Sequence, residues 1–148
     1  MPGRGNRNIT MNLKKFIIEM GMGIDQHGQD PTNAAQKAVK DAMARSCLTG
    51  LLDVVRLDDL DQIVVEVLIA CPQPERVDTT AVLQPIPFGQ KQINVIEGGM
   101  VAQSIYQPEL GDSSDKTYIA NAAITVWVDM DQALAAWQTN QLTISRSN

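Results

Sequence analysis

The sequence predicts an α+β fold: a two-layer sandwich in which about four strands form one sheet and two main helices cover one face of it. Short apolar runs of strand length recur along the chain, separated by a helical repeat and by segments rich in glycine and proline. The chain has 148 residues, of which 44% are hydrophobic and 20% are charged, as expected of one globular domain. Helices that lie apart from a mainly buried sheet are typical of the α+β class. We expect one domain at residues 12–130, a flexible arm at 1–11 and a C-terminal helix and tail at 131–148.

The first half of the domain is predicted to run strand, helix, strand. Residues 13–24 combine β-branched and aromatic residues with glycines, which is typical of a strand that enters a tight loop. Asp30 and Pro31 predict the start of a helix, because aspartate accepts amide hydrogens at an N-cap and proline is tolerated at the first helical position. Apolar residues then recur at three- and four-residue steps, and the helix is expected to end by Gly50. Residues 62–70 are almost continuously apolar, as expected of a buried strand.

The second half is predicted to contain a short helix and two further strands. Residues 75–83 are expected to form the helix, which Pro85 and Pro87 prevent from continuing. The strands are predicted at 91–97, where a pair of glycines ends the first, and at 117–129.

The segments around the last strand complete the predicted organisation. Residues 107–116 are expected to form a polar loop, in which 109–115 are expected to be mobile at the surface. Asp129 or Asp131 is expected to cap a final helix. The inner face of that helix is predicted to consist of Ala133, Leu134 and Trp137.

Charge and composition exclude several classes of function. Twelve basic residues against seventeen acidic ones give a net charge of -5, the wrong sign for neutralising many phosphates of a nucleic acid. No apolar run reaches the roughly 18 residues of a membrane span, and the basic start of the chain lacks the apolar centre of a signal peptide. A cytoplasmic protein without nucleic-acid or membrane partners is therefore expected. Cys47 and Cys71 are far apart in the sequence, and both are predicted to be buried as small apolar residues.

The most informative stretch is the strand-to-helix connection at residues 21–31. Its glycines allow backbone to approach a ligand closely, and the amides at the helix start near Pro31 favour an anion. Asp25 and His27 are two residues apart, so in an extended segment they point to the same face, where the carboxylate can orient the imidazole. The ligand-binding residues predicted in this loop are Gly21, Gly23, Gly28 and Asp30.

Three roles stay open for His27, the only histidine of the chain. It can brace the loop through a hydrogen bond to Asp25 or Asp30. It can transfer protons as a catalytic acid or base, oriented by Asp25. It can also bind a divalent metal such as Zn²⁺ together with Asp25. For Asp30 itself, helix capping is the leading interpretation.

A second wall of the site is predicted where a strand ends at Glu97. This carboxylate is expected to supply another catalytic acid or base, and Gly98 and Gly99 are expected to contact the ligand. A simple turn is the competing interpretation for the two glycines.

The glycine loop resembles a known family. The run from Phe16 to Asp30 looks like the small uncharacterised family of conserved hypothetical proteins from bacteria and plants that has a glycine-x-glycine-x-aspartate-x-histidine-glycine motif. The resemblance extends over about residues 12–129, and it implies no established reaction. The positions that match the motif are Gly21, Gly23, Asp25, His27 and Gly28.

A shorter likeness suggests a metal site. Residues 23–27 resemble the glycine-x-aspartate-x-histidine of methylerythritol cyclodiphosphate synthases, in which the aspartate and histidine bind metal on a trimeric α+β fold. That family completes its zinc site with another histidine, which this chain lacks. A cysteine, a subunit neighbour or a carboxylate would have to substitute. The candidate carboxylates are Asp30, Glu19 and Glu97.

A third likeness concerns architecture. Asp58-Asp59-Leu60, Cys71-Pro72 and the later glycine pair are similar to one repeated domain of the cyanuric acid hydrolases and barbiturases. Those enzymes use serine and lysine pairs, but Ala70 and Glu97 stand at the corresponding positions, so their amidohydrolysis does not transfer. The resemblance implies that three copies of this chain assemble around a threefold axis.

Together these features predict an enzyme of hydrolase or lyase type that acts on a small polar or anionic metabolite. The site is expected at a subunit boundary around the glycine loop. A bare apolar sheet face would be a large exposed patch, so a homo-oligomer is expected, with a trimer favoured. The alternative is a non-catalytic oligomer that binds a metabolite or a metal.

Overall fold

The computed structural model describes residues 11–145. Most of the predicted N-terminal arm, residues 1–10, lies outside the described residues, as do 146–148. Within the described range five strands form one sheet: β1 (Leu13–Asp25), β2 (Val64–Cys71), β3 (Gln90–Glu97), β4 (Met100–Gln103) and β5 (Lys116–Asp129). The α-helices of this range are α1 (Pro31–Ala44), α2 (Thr79–Leu83) and α3 (Met130–Ser145). The predicted α+β sandwich is confirmed, with β4 as a strand that the sequence did not indicate.

The sheet is mixed, and its order is β1-β5-β2-β3. β5 runs antiparallel to both β1 and β2, whereas β3 runs parallel to β2. β4 also pairs with β5, beyond the end of β2: Ala70 lies opposite Asn121, and Met100 lies opposite Ile119. The carboxyl ends of β1, β2 and β3 therefore lie at the same end of the sheet as the start of β5. The loop after β1 and the loop before β5 meet there.

One face of the sheet is covered by α1 and α2, and the core lies between them. Alternate strand residues such as Ile69 and Ile124 are almost fully buried there, together with Val39 of α1. Each such side chain contributes about 1.5–3 kcal/mol by leaving water.

The opposite face is uncovered within the described chain. Ile18, Met20 and Met22 of β1 alternate with the buried residues and are 50%, 67% and 50% exposed. Leu68 of β2 and Ile96 of β3 are also exposed. The strand register places both side chains on the same face of the sheet as those of β1. We refer to these five residues as the open face.

Two glycines of β1 let α1 lie directly against the sheet. A Cβ built on Gly23 would lie 2.0 Å from the carbonyl oxygen of Ala34, and one on Gly21 would lie 2.3 Å from that of Ala38. Both contacts are with helix backbone, so a side chain at either position would push the helix away. The small buried alanines of α1 complete this close packing.

Other details differ from the sequence prediction. α1 ends at Ala44, and residues 50–55 form a separate π-helical turn. The capping of α3 by Asp129 is confirmed, because its Oδ1 accepts a hydrogen bond from Asp131 N at 3.0 Å. Of the predicted inner face of α3 only Ala133 is buried, and Leu134 and Trp137 are 50% and 43% exposed, since this helix contacts little more than residues 50–55 and the end of β5.

The two cysteines differ in burial, and the lengths of the helices bear on membrane insertion. Cys71 is buried as predicted, whereas Cys47 is exposed because it lies just after the end of α1. No helix in the described part of the chain is both long and apolar enough to cross a membrane.

Candidate functional site

His27 lies in the loop between β1 and α1, and its ring is bound to a residue of another loop. Nδ1 of His27 lies 2.9 Å from Oδ2 of Asp112, which is 85 residues further along the chain. The His27 side chain is 29% exposed, whereas that of Asp112 is fully buried. The loops meet because β5 pairs with β1 and places Tyr118 opposite Asp25. The partner of His27 is therefore Asp112, in a loop that the sequence predicted to be merely mobile.

The carboxylate of Asp112 accepts four hydrogen bonds. The other three come from Gly28 N at 2.8 Å, Gln107 N at 2.9 Å and Gln29 Nε2 at 3.0 Å. The hydrogen bond from His27 holds the pKa of Asp112 well below its usual range; burial opposes this, and the other three bonds add to it. Asp112 is therefore ionised at neutral pH and can only accept hydrogen bonds.

This electrostatic arrangement determines the tautomer of His27. Since Asp112 has no proton to donate, Nδ1 of the neutral ring must carry the hydrogen between them. Nε2 is then the unprotonated nitrogen, able to accept a proton from solvent or a ligand.

Asp25 supports the helix instead of the histidine. It is 3% exposed, and its carboxylate accepts hydrogen bonds from Asp30 N at 2.8 Å and Asn33 Nδ2 at 2.5 Å. The predicted pairing of Asp25 with His27 is wrong because the strand ends at Asp25, and the alternation of side chains does not continue into the turn. Gly28 in that turn has a φ of +96°.

The predicted helix cap is confirmed, with a consequence for ligand charge. Oδ1 of Asp30 accepts hydrogen bonds from Thr32 N at 2.9 Å and Asn33 N at 3.3 Å. The next amide, of Ala34, donates to the carbonyl oxygen of Asp30 at 3.2 Å. The amides expected to attract an anion are thus satisfied within the chain. The carboxylates of Asp25, Asp30 and Asp112 outnumber the ammonium group of Lys37, which donates to the carbonyl oxygen of Ile24 at 2.9 Å. A neutral or cationic polar ligand suits this charge distribution better than an anionic one.

Gln29 joins the two loops, a role that no local sequence pattern indicates. It is 4% exposed and has a φ of +49°, unusual for a residue with a side chain. Its Nε2 donates to Asp112 and, at 2.8 Å, to the carbonyl oxygen of Lys116. Its Oε1 accepts hydrogen bonds from the backbone and hydroxyl of Ser113, at 2.9 and 3.1 Å. Strained backbone of this kind persists where surrounding contacts over-determine it, and it is frequent at functional loops.

The predicted glycines have three different roles. Gly21 and Gly23 face the backbone of α1, so the prediction that they cradle a ligand is wrong. Gly28 adopts positive φ in the turn next to Asp112, and the nearest atom to a Cβ built there, Oδ2 of Asp25, lies 4.0 Å away. Gly98 and Gly99 carry the chain over the end of β2, and a Cβ on Gly99 would lie 2.1 Å from the carbonyl oxygen of Ile119. The competing interpretation of that pair as a turn agrees with this packing.

Glu97 is not brought to the histidine within one chain. It ends β3 opposite Cys71 of β2, whereas Asp25 ends β1, three strands away in the sheet order. Neighbouring strands are about 4.8 Å apart, so roughly 14 Å separates Glu97 from the start of the histidine loop.

The residues also fail the test for a metal centre. Within residues 11–145 no three histidine, cysteine or carboxylate side chains lie together in a way that could hold an ion. The oxygens of Asp25 and Asp112 are already bound to donors of the chain.

The fold and site together define an α+β sandwich with a buried carboxylate behind a partly exposed histidine at one end of the sheet. The chain belongs to the Lin0512 family of conserved hypothetical proteins, and the sequence model of that family matches residues 15–126. It is similar to the crystal structure of an FtsZ-like protein of unknown function from Nostoc punctiforme PCC 73102, with 47% identity and a TM-score of 0.73. That match covers 80% of this chain and 98% of the other. No curated protein matches the sequence significantly.

Proposed function

We propose that the protein is an enzyme of hydrolase or lyase type in which His27 transfers a proton to or from a small polar metabolite. The observation that supports this most is the pairing of a partly exposed imidazole with a buried, ionised carboxylate. Asp112 is the positioning residue: it holds Nδ1–H and stabilises the imidazolium that forms when Nε2 takes a proton. His27 is the proposed catalytic residue, because Nδ1 is bound to Asp112 and Nε2 is the nitrogen of this partly exposed ring that is left to exchange a proton with a substrate.

The site is proposed to lie at a subunit boundary of a homo-oligomer, with a trimer as the expected state. The open face supports this, because three of its apolar residues lie on β1, the strand that leads directly into the histidine loop. A second copy packed on that face would also exclude water from the surroundings of His27. The occupied amides of α1 favour a substrate that is neutral or positively charged at the reacting end.

A non-catalytic ligand-binding protein is the second candidate. It is favoured by one observation: Asp112 accepts hydrogen bonds from three groups besides His27. That arrangement also ties two loops together without any reaction. In this candidate the histidine completes the brace and contacts a ligand that is never transformed.

A metabolite thermal-shift screen followed by product analysis distinguishes the two candidates. Hits on the wild-type protein are incubated and examined by mass spectrometry for conversion. His27→Gln is the matched variant, since its amide can still donate to Asp112 but cannot transfer protons. The enzyme proposal expects the variant to fold, to keep the thermal shift and to lose turnover by about 10²-fold or more. Ligands that bind both proteins and are converted by neither would favour the second candidate, and equal turnover by both would refute the role of His27.

A further inference from the structure

A cavity on the covered face of the sheet lies well away from the histidine. Its volume is about 250 Å³, and its floor is formed by apolar side chains of β2 and β5, including Val65 and Ile124. Met43 at the end of α1 and Phe88 before β3 form its walls. Apolar cavities of this kind bind ligands, and one of roughly 150 Å³ takes up benzene. This cavity therefore has room for a molecule of about ten non-hydrogen atoms.

One charged side chain lines this apolar cavity. Glu19 of β1 is 9% exposed, and it is the only charged residue among the described residues that line the space. Burial raises the pKa of Glu19, and a hydrogen bond from the Ser46 side chain opposes the rise. The basic residue nearest along α1, Arg45, is instead bound to Asp41 at 2.7 Å. Among residues 11–145 the carboxylate thus has a hydroxyl donor but no cationic partner, and a nearly buried negative charge is stabilised further when a positive charge reaches it.

We propose that this cavity is a binding site for a small apolar amine, whose ammonium group pairs with Glu19 while its hydrocarbon part fills the space above the sheet. The size of the cavity limits the hydrocarbon part of the ligand, and the negative charge of Glu19 selects the head group. A carboxylate ligand would bring a second negative charge against Glu19, and an alcohol would offer only a neutral hydrogen bond. The site is separate from the proposed enzyme site, since Glu19 and Asp25 are six residues apart on one strand, roughly 20 Å.

The two cysteines provide a direct reporter of occupancy. Cys47 lines the cavity and is exposed. Cys71 is buried, and burial together with the carboxylates of Glu97 and Glu75 raises its pKa to about 11. Iodoacetamide reacts with thiolates, so alkylation of the folded protein should occur at Cys47, and a ligand in the cavity should slow it.

The test uses three probes that share one carbon skeleton and differ in the head group: 3-phenylpropylamine, 3-phenylpropanol and 3-phenylpropanoate. The rate of Cys47 alkylation is measured by mass spectrometry at increasing probe concentration, and thermal shifts are measured in parallel on Cys47→Ser. The amine is expected to protect at concentrations at least about tenfold lower than the carboxylate, which corresponds to about 1.4 kcal/mol. In Glu19→Gln, which keeps the shape of the side chain, the preference for the amine over the alcohol should disappear.

Three outcomes would overturn the proposal. If no probe protects Cys47, the cavity is not a site for ligands of this class. If the carboxylate protects as well as the amine, Glu19 does not select the head group. If Glu19→Gln keeps the full preference for the amine, the ammonium group binds elsewhere.

Discussion

Replacing Gly23 by alanine tests whether this glycine is needed for the packing of α1 on the sheet or for binding a ligand. The new Cβ would lie 2.0 Å from the carbonyl oxygen of Ala34 and 2.4 Å from the amide nitrogen of Ala38. Ordinary contacts begin near 3.4 Å, so α1 has to retreat by roughly 1.4 Å along the part of the helix that carries the Asp30 cap. Overpacking typically costs about 1–3 kcal/mol, and because both contacts are rigid backbone we expect about 3 kcal/mol. At roughly 3 °C per kcal/mol for a chain of this size, the melting temperature should fall by about 10 °C.

Gly111→Ala is the matched control for this experiment. Gly111 has a positive φ of +89°, which Gly23 in β1 does not, and nothing lies within 4 Å of a Cβ there. The substitution should therefore cost only the conformational penalty of about 1 kcal/mol. Urea unfolding of both variants at one protein concentration gives the comparison. A Gly23→Ala protein no less stable than Gly111→Ala would refute the packing argument and restore the ligand-cradle interpretation.

Three further outcomes are expected. Asp112→Asn should lower the melting temperature at neutral pH. The pKa of Asp112 is lower in the folded protein than in the unfolded chain, where it is near 3.8, so the ionised carboxylate stabilises the fold above that pH. The difference in melting temperature between the wild type and the variant should therefore narrow as the pH falls below about 4. A difference that does not change with pH would contradict this. Burial raises the pKa of Glu19, so the wild type loses stability as the pH rises through that pKa. Glu19→Gln should therefore be more stable than the wild type at pH 7 and equally stable in acid, as measured by urea unfolding at several pH values; equal stability at every pH would contradict this. Met20→Glu on the open face should dissociate the proposed oligomer in light scattering, whereas Val54→Glu, at a site of similar exposure, should not; a wild-type monomer would refute the proposed assembly.

Much of the fold could be predicted from local signals. The Asp30-Pro31 pair marks the start of α1, and the β-branched and aromatic residues of 13–24 and the alternation along 91–97 mark two of the strands, because these patterns depend on residues close in sequence. β4 was missed because it has four residues and is ordered by pairing with β5. The exposure of Leu134 and Trp137 was missed because the periodicity of a helix indicates an apolar face without showing what packs against it.

The candidate site could be predicted only in part. His27 and its loop were identified from sequence, whereas Asp112 and Gln29 were not, since their contact joins residues 83 positions apart through the pairing of β1 with β5. A Gly-Asp-Ser-Ser sequence in a polar segment is typical of a solvated turn, and nothing local indicates a buried carboxylate. The glycines were assigned to ligand binding because sequence cannot tell a ligand's approach from that of a helix backbone.

The proposed proton transfer depends on the tautomer of the His27 ring, and nitrogen NMR tests that tautomer most directly. The chain contains one histidine, so a long-range ¹H–¹⁵N spectrum of uniformly labelled protein reports this ring without assignment. At a pH where the ring is neutral, we predict the tautomer with hydrogen on Nδ1 and an unprotonated Nε2, and we predict that Asp112→Asn abolishes this preference. A wild-type ring protonated at Nε2, as is usual for histidine free in solution, would contradict the Asp112–His27 pair and the proton transfer built on it.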